Sequence, residues 1–121
     1  MTLQKQDKPA IGKKGEDIAA RHLLATDYQV VERNWRYKRS EIDLIAKKEG
    51  VLVFVEVKTK SYVAYGHPEE SVDQKKANKI MEGAEEYIYK ANWHGDIRFD
   101  VIAIHLEGNG YKLFHFEDAF G

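Results

Sequence analysis

Asp43, Glu56 and Lys58 are polar residues set in two stretches that otherwise read as structural strands. Asp43 lies in Ser40-Glu41-Ile42-Asp43-Leu44-Ile45-Ala46, and the other two lie in Val51-Leu52-Val53-Phe54-Val55-Glu56-Val57-Lys58. A carboxylate on one strand, with a carboxylate and an amine two residues apart on the next, can assemble a divalent metal and an activated water for phosphodiester cleavage. Mg²⁺ suits that task, with Mn²⁺ as an alternative. It prefers oxygen ligands, keeps several waters and often takes only one or two carboxylates from protein. Asp43 and Glu56 would supply those oxygens, and the Val57 carbonyl would be a further ligand. Lys58 would hold or deprotonate the water, or stabilise charge on the phosphate. A base role needs a lowered pKa, which burial favours and an adjacent carboxylate opposes, so charge stabilisation is the preferred assignment.

The elements that must position these groups follow from periodicity. Residues 1–10 read as a flexible leader and residues 11–121 as one domain. Ile11 to about Ala25 predicts a helix: Ile11, Gly15, Ile18, Ala19, His22 and Leu23 share one side of a wheel, and Lys13, Asp17 and Arg21 do not. Glu16 falls at the margin of the apolar face, where it could point towards a site. Strands are predicted at Tyr28–Arg36, Arg39–Lys47 and Val51–Lys58, joined by short turns as an antiparallel meander. Alternation puts Glu41, Asp43 and Ile45 on one face, and Leu52, Phe54, Glu56 and Lys58 on one face of the next strand. Val51, Val53, Val55 and Val57 make the opposite face, so this strand is expected to be central, with Glu56 partly buried. A loop from Tyr62 to Pro68 leads to a helix over Val72–Ala91. Ser71-Val72-Asp73-Gln74 has the Ser-x-x-Gln pattern of a capping box. Strands near Ile97–Leu106 and Tyr111–Phe116 flank the turn Glu107-Gly108-Asn109-Gly110, whose Asn-Gly pair is a hairpin signal. The order is α-β-β-β-α-β-β, an α/β domain with a mixed central sheet.

Bulk properties narrow the function. The chain has 121 residues and a net charge of −1, which argues against a non-specific DNA-coating protein. A nucleic-acid ligand would need a local basic track. Arg33, Arg36, Lys38 and Arg39 form one cluster, and Lys75, Lys76 and Lys79 form another. The absence of cysteine excludes disulfides, thiolate nucleophiles and cysteine-ligated zinc. No apolar run approaches the roughly 20 residues that span a bilayer, so a cytoplasmic protein is expected.

Spacing alone leaves a semi-buried ion pair among Asp43, Glu56 and Lys58 as an equal alternative, since such pairs are common across adjacent strands. Charges embedded in apolar strands are costly unless paired or metal-bound, which favours a site. The residues also carry a resemblance. Asp43 followed by Glu56-x-Lys58, with Glu16 on the preceding helix, is similar to the PD-(D/E)xK nuclease superfamily. Gly15-Glu16-x-x-Ala19, Arg33-Asn34-x-Arg36, Glu41-Ile42-Asp43-Leu44-Ile45-Ala46, Phe54-Val55-Glu56-Val57-Lys58 and Arg98-Phe99-Asp100-Val101-Ile102 occur in order. That set resembles the uncharacterised bacterial YraN family, itself similar to archaeal Holliday junction resolvases, over residues 11–117. The resemblance implies a restriction-endonuclease-like fold and a Mg²⁺-dependent site at Glu16, Asp43, Glu56 and Lys58. Branched or damaged DNA is the substrate it implies, and a junction cutter would need two sites, hence a homodimer. Ser40 stands where that family commonly has Gly, and Ile42 where the superfamily has Pro.

The remaining candidates have two readings each. Arg36 and Arg39 could contact phosphates beside Trp35 and Tyr37, or the aromatics could pack in the core with the arginines in water. Lys75, Lys76 and Lys79 near a helix N-terminus oppose its dipole, a cost that a polyanion would relieve; Glu82 and Glu86 are the alternative partners. Glu41 could assist Asp43 or be solvated, and Gln74 could approach the metal or only cap the helix. Asp100 is expected to pair with a basic neighbour, and the histidines read as incidental. Phe114, Phe116 and Phe120 close the core or form a dimer surface, with core closure the default. The alternative to an enzyme is a non-catalytic nucleic-acid-binding or protein-interaction module on the same fold. An ion-paired domain that binds no nucleic acid is a third possibility.

Overall fold

The computed structural model describes residues 7–61 and 72–121. Its elements are α1 (Asp7–Ala25), β1 (Gln29–Tyr37), β2 (Ser40–Lys48), β3 (Val51–Lys60), α2 (Gln74–Ala91), β4 (Asp96–Glu107) and β5 (Gly110–Phe116). The order α-β-β-β-α-β-β is the expected one. Helix α1 starts at Asp7, ahead of the predicted Ile11, because Pro9 falls in its first turn, where a missing N–H leaves no intrahelical bond unmade. The loop expected from Tyr62 to Pro68 and the capping residue Ser71 lie outside the described residues.

The strands form one sheet in the order β1-β2-β3-β4-β5. Only β3 and β4 run parallel, and α2 supplies the crossover that a parallel pair requires. The continuous apolar run in β3 is explained by cover on both faces. Val53 and Val55 pack with Ile18, Ala19 and Leu23 of α1. Leu52 and Phe54 pack with Ile80 and Ala84 of α2. Phe120 closes the α2 side: its ring lies 5.3 Å from Phe99, which stacks on Phe54 at 5.4 Å.

One local reading is corrected. The N-cap of α2 is Asp73, whose carboxylate accepts from the Lys76 N–H at 2.8 Å, and Gln74 instead donates to Asn78 Oδ1 at 2.7 Å. Removing the cap in Asp73→Ala is expected to cost about 1 kcal/mol, read as a lower urea midpoint at unchanged slope. The β4–β5 turn is the expected Glu107-Gly108-Asn109-Gly110, closed by the Glu107–Gly110 pair, with Gly108 taking the positive φ of 53°.

A second correction bears on the site. Trp35 and Ile42 pack on the α2 side of the sheet, whereas Leu44 packs on the α1 side and Arg33 reaches Asp17 of α1 at 2.6 Å. Strict alternation would keep Ile42 and Leu44 together. It breaks at Asn34, whose φ of 51° rotates β1 just where it faces β2 around Asp43. Asn tolerates this left-handed conformation better than most residues. Asp43 therefore does not share a face with Ile45, as simple alternation predicts, and turns towards α1.

Candidate active site

Strands β2 and β3 pair from Lys48↔Val51 to Leu44↔Val55, and beyond that pair they have no register partners. Asp43 and Glu56 are the next residues on the two strands, so both stand in the opening where the ladder ends. The Val57 N–H, with no β2 partner beside it, donates to Asp43 Oδ2 at 2.8 Å. Asp43, Val57 and Glu16 of α1 share the wall of a cleft of about 530 Å³ with Ile11, Thr59 and Ser61. Glu56 follows Phe54 on the α2 side of β3, where Lys76 Nζ approaches its Oε2 at 3.6 Å. The cluster thus straddles the sheet, with α1 contributing from one side and α2 from the other.

Electrostatics follow from that crowding. Burial pushes the Asp43 carboxyl up to about 7, and the neighbouring charges of Glu56 and Glu16 add to the effect, while the Val57 N–H opposes it. Asp43 therefore holds its proton far above the ordinary carboxylate range. Two carboxylates in one small opening, with one kept neutral by burial and by the charge of the other, suit a divalent cation that neutralises both. Asp43 and Glu56 can hold such an ion. Among the described residues no three His, Cys, Asp or Glu side chains converge as a metal cluster. The rest of a coordination shell would then fall to water and backbone oxygen, a pattern Mg²⁺ accepts.

The other sequence-predicted residues are placed as follows. Lys58 is half-buried two residues beyond Glu56, in the part of β3 paired with Ala103 of β4. Glu41 is turned to Arg36, its ion-pair partner at 2.9 Å, and does not join Asp43. Gln74 is held by Asn78 on the exposed first turn of α2. Lys76 pairs with Glu56 rather than with Glu82 or Glu86, and Glu86 pairs with Lys90 at 3.7 Å. Lys75 and Lys79 are exposed, and Ser40 Oγ donates to the Lys79 carbonyl at 2.7 Å. That bond seats the β1–β2 hairpin on α2, so Lys38, Arg39 and Lys79 line one shallow depression. Ser40, where the resembled family has Gly, is thus a buried contact residue.

Sequence reasoning missed a second polar cluster. Asp100 is fully buried and accepts from Arg98 Nε at 2.9 Å, His115 Nε2 at 2.8 Å and the Asp118 N–H at 3.0 Å. His115 Nδ1 is 3.1 Å from His22 Nε2, and Arg98 donates to the Tyr28 hydroxyl at 2.5 Å. Burial alone would raise the Asp100 pKa, but the bonds from His115, Arg98 and Asp118 outweigh it and lower the value. The basic partner expected for Asp100 is present. Two of the histidines, His22 and His115, are not incidental, since they complete this network.

The fold is a five-stranded mixed sheet between two helices, with a carboxylate pair at the point where β2 and β3 part. The family model described as "Uncharacterised protein family UPF0102" matches residues 15–104, and the chain belongs to that family, the YraN family. A UPF0102 protein of Flavobacterium johnsoniae is 43% identical over 114 residues, covering 91% of this chain and 93% of that one. Another, from Cytophaga hutchinsonii, is 50% identical over 93 residues, covering 77% of this chain and 82% of that one. Among solved structures, Pyrococcus furiosus SfsA in complex with Ca²⁺ aligns with a TM-score of 0.41 at 17% identity, over 91% of this chain and 63% of that chain. Among the described residues, no helix is long and apolar enough to cross a membrane.

Proposed function

We propose that this protein is a Mg²⁺-dependent endonuclease that hydrolyses phosphodiester bonds in DNA. The observation that carries the reading is the Asp43–Glu56 pair, two carboxylates crowded into the opening between β2 and β3 with Asp43 held protonated to about pH 7. Asp43, Glu56 and the Val57 carbonyl would hold the metal, which would supply Lewis-acid activation of water and of the phosphate oxygens. Glu16 extends the negative wall over the cleft. Lys58 is assigned to charge on the phosphate. The Val57 N–H holds one oxygen of Asp43 and so fixes the orientation of its carboxyl group beside Glu56. Because Asp43 must lose its proton to take a cation, Mg²⁺ affinity is expected to rise with pH up to about 7.

DNA would approach over the basic side chains that lead from the β1–β2 hairpin along the first turns of α2. Arg39, Lys75 and Lys79 are exposed there, and Lys76 reaches the site itself. Arg36 is partly neutralised by Glu41 and contributes less. Replacing Arg39, Lys75 and Lys79 together by Ala is expected to reduce the slope of log affinity against log salt by roughly 2–3, at about 0.7–0.9 for each phosphate no longer neutralised. Filter binding across a salt series reads this directly. An unchanged slope would place the DNA elsewhere. The resemblance to junction resolvases favours a branched substrate, which two strand cuts and a homodimer would resolve.

The Lys76–Glu56 contact at 3.6 Å favours a second reading, in which the carboxylates are neutralised within the protein and the domain only binds. The experiment that separates the two is cleavage of end-labelled single-stranded, duplex, flap and four-way-junction DNA with Mg²⁺ or Mn²⁺. The enzyme reading expects metal-dependent products that folded Glu56→Gln does not make. A folded wild type that binds these DNAs and cuts none of them supports the binding module.

A further inference from the structure

We propose that Gly15 and Thr59 are a positioning pair, whose contact sets how closely α1 lies on β3 and so places the Glu16 carboxylate over Asp43. The inference rests on the metal-nuclease reading above and concerns how that site is held. Gly15 lies mid-helix and buried, where glycine is among the poorest helix formers, so the helix itself does not ask for it. Its partner does. A Cβ at position 15 would overlap Thr59 Oγ1 and would stand 2.8 Å from both Cβ and Cγ2 of that residue. Thr59 cannot easily turn away, because a β-branched side chain on a strand has few rotamers and its Cβ is fixed by the backbone.

The surrounding residues agree. Ala19, one turn on, is fully buried and continues the small face by which α1 approaches the sheet. Glu16 follows Gly15 directly, and both Glu16 and Thr59 line the cleft that Asp43 lines. A methyl added at Gly15 must therefore lift α1 or tilt it, and Glu16 moves with the backbone. Displacements of about 1 Å at such groups have effects of the order of a hundredfold. Neither Gly15 nor Thr59 needs to touch substrate for this role.

The test is Mn²⁺ affinity by titration calorimetry on full-length protein, with Glu56→Gln as the control for the site itself. Gly15→Ala is expected to weaken Mn²⁺ binding about tenfold to a hundredfold, the usual range for groups that orient ligands. Glu16→Gln should weaken it similarly, and Gly15→Ala/Glu16→Gln should be no weaker than Glu16→Gln alone, since the glycine acts through Glu16. Gly15→Ala/Thr59→Gly, which restores the space, should recover most of the affinity. If Gly15→Ala does not fold, Thr59→Ile presses on the same contact from the strand side. Unchanged affinity in a folded variant, or simple additivity in the double, overturns the pair while leaving the site intact. A folded wild type that binds no Mn²⁺, like Glu56→Gln, overturns the site and the pair together.

Discussion

In Glu56→Gln, metal-dependent cleavage is expected to fall by at least about a thousandfold while the fold is kept. Metal activation is asked to supply several kcal/mol of transition-state stabilisation, and each 1.36 kcal/mol is roughly tenfold in rate. Stability moves the other way above about pH 7, where both carboxylates carry charge in the metal-free protein. The companion variant Asp43→Asn shows this most clearly. Asp43 has an ordinary value of 3.8 and is raised to about 7 in the fold. The folded protein therefore binds more protons than the unfolded chain between these values, and stability falls as pH rises through that window. The cost above pH 7 is at most about 4 kcal/mol, at 1.36 kcal/mol per unit. The asparagine side chain would keep the acceptor for the Val57 N–H without the charge. In EDTA, Asp43→Asn should match wild type near pH 4 and exceed it by about 2–4 kcal/mol at pH 8 in urea denaturation. Added Mg²⁺ should stabilise wild type and leave the variant unmoved. A variant less stable than wild type at pH 8 would show that Asp43 serves the fold.

The second large effect is structural. Asp100→Ala is expected to cost about 3–5 kcal/mol, because it removes the buried countercharge of Arg98 and leaves His115 and the Asp118 N–H without their acceptor. The loss should spread to three segments. The end of α1 is tied in through His22, the start of β1 through Tyr28, and the C-terminal segment through Asp118. The carboxylate's stabilising contribution is present above its unfolded value of 3.8 and is lost as pH falls through its lowered folded value. The difference between wild type and Asp100→Ala should accordingly shrink in strong acid. Calorimetric unfolding at pH 7 and pH 3 checks both statements, and an equal loss at both would show that packing, not charge, dominates there.

These two sites differed in how far the sequence announced them. Glu56 and Lys58 stand out because β3 is apolar on both faces, and a charge in a doubly covered strand has few bland explanations. The strands, their order and the helix over Gln74–Ala91 were legible for the same reason: their patterns are local. What was not legible depends on partners far along the chain. His22 and His115 are 93 residues apart, and neither has a neighbour whose spacing hints at the other. The pairing of Lys76 with Glu56 needs the crossover geometry of α2, which periodicity does not contain. The turn of Asp43 towards α1 hangs on one residue, Asn34, whose left-handed backbone reverses the alternation used to assign faces. Thr59 escaped notice because the predicted strand stops at Lys58, whereas β3 runs on to Lys60. Its parity with Val57, facing α1, was the available signal.

The central claim is that a divalent ion sits between Asp43 and Glu56. The most direct measurement is anomalous scattering from crystals grown with Mn²⁺, collected for wild type and Glu56→Gln. One strong peak is expected within roughly 2.5 Å of carboxylate oxygens of both residues, absent in the variant. A well-ordered wild-type site with no peak there, and Lys76 still on Glu56, would contradict it.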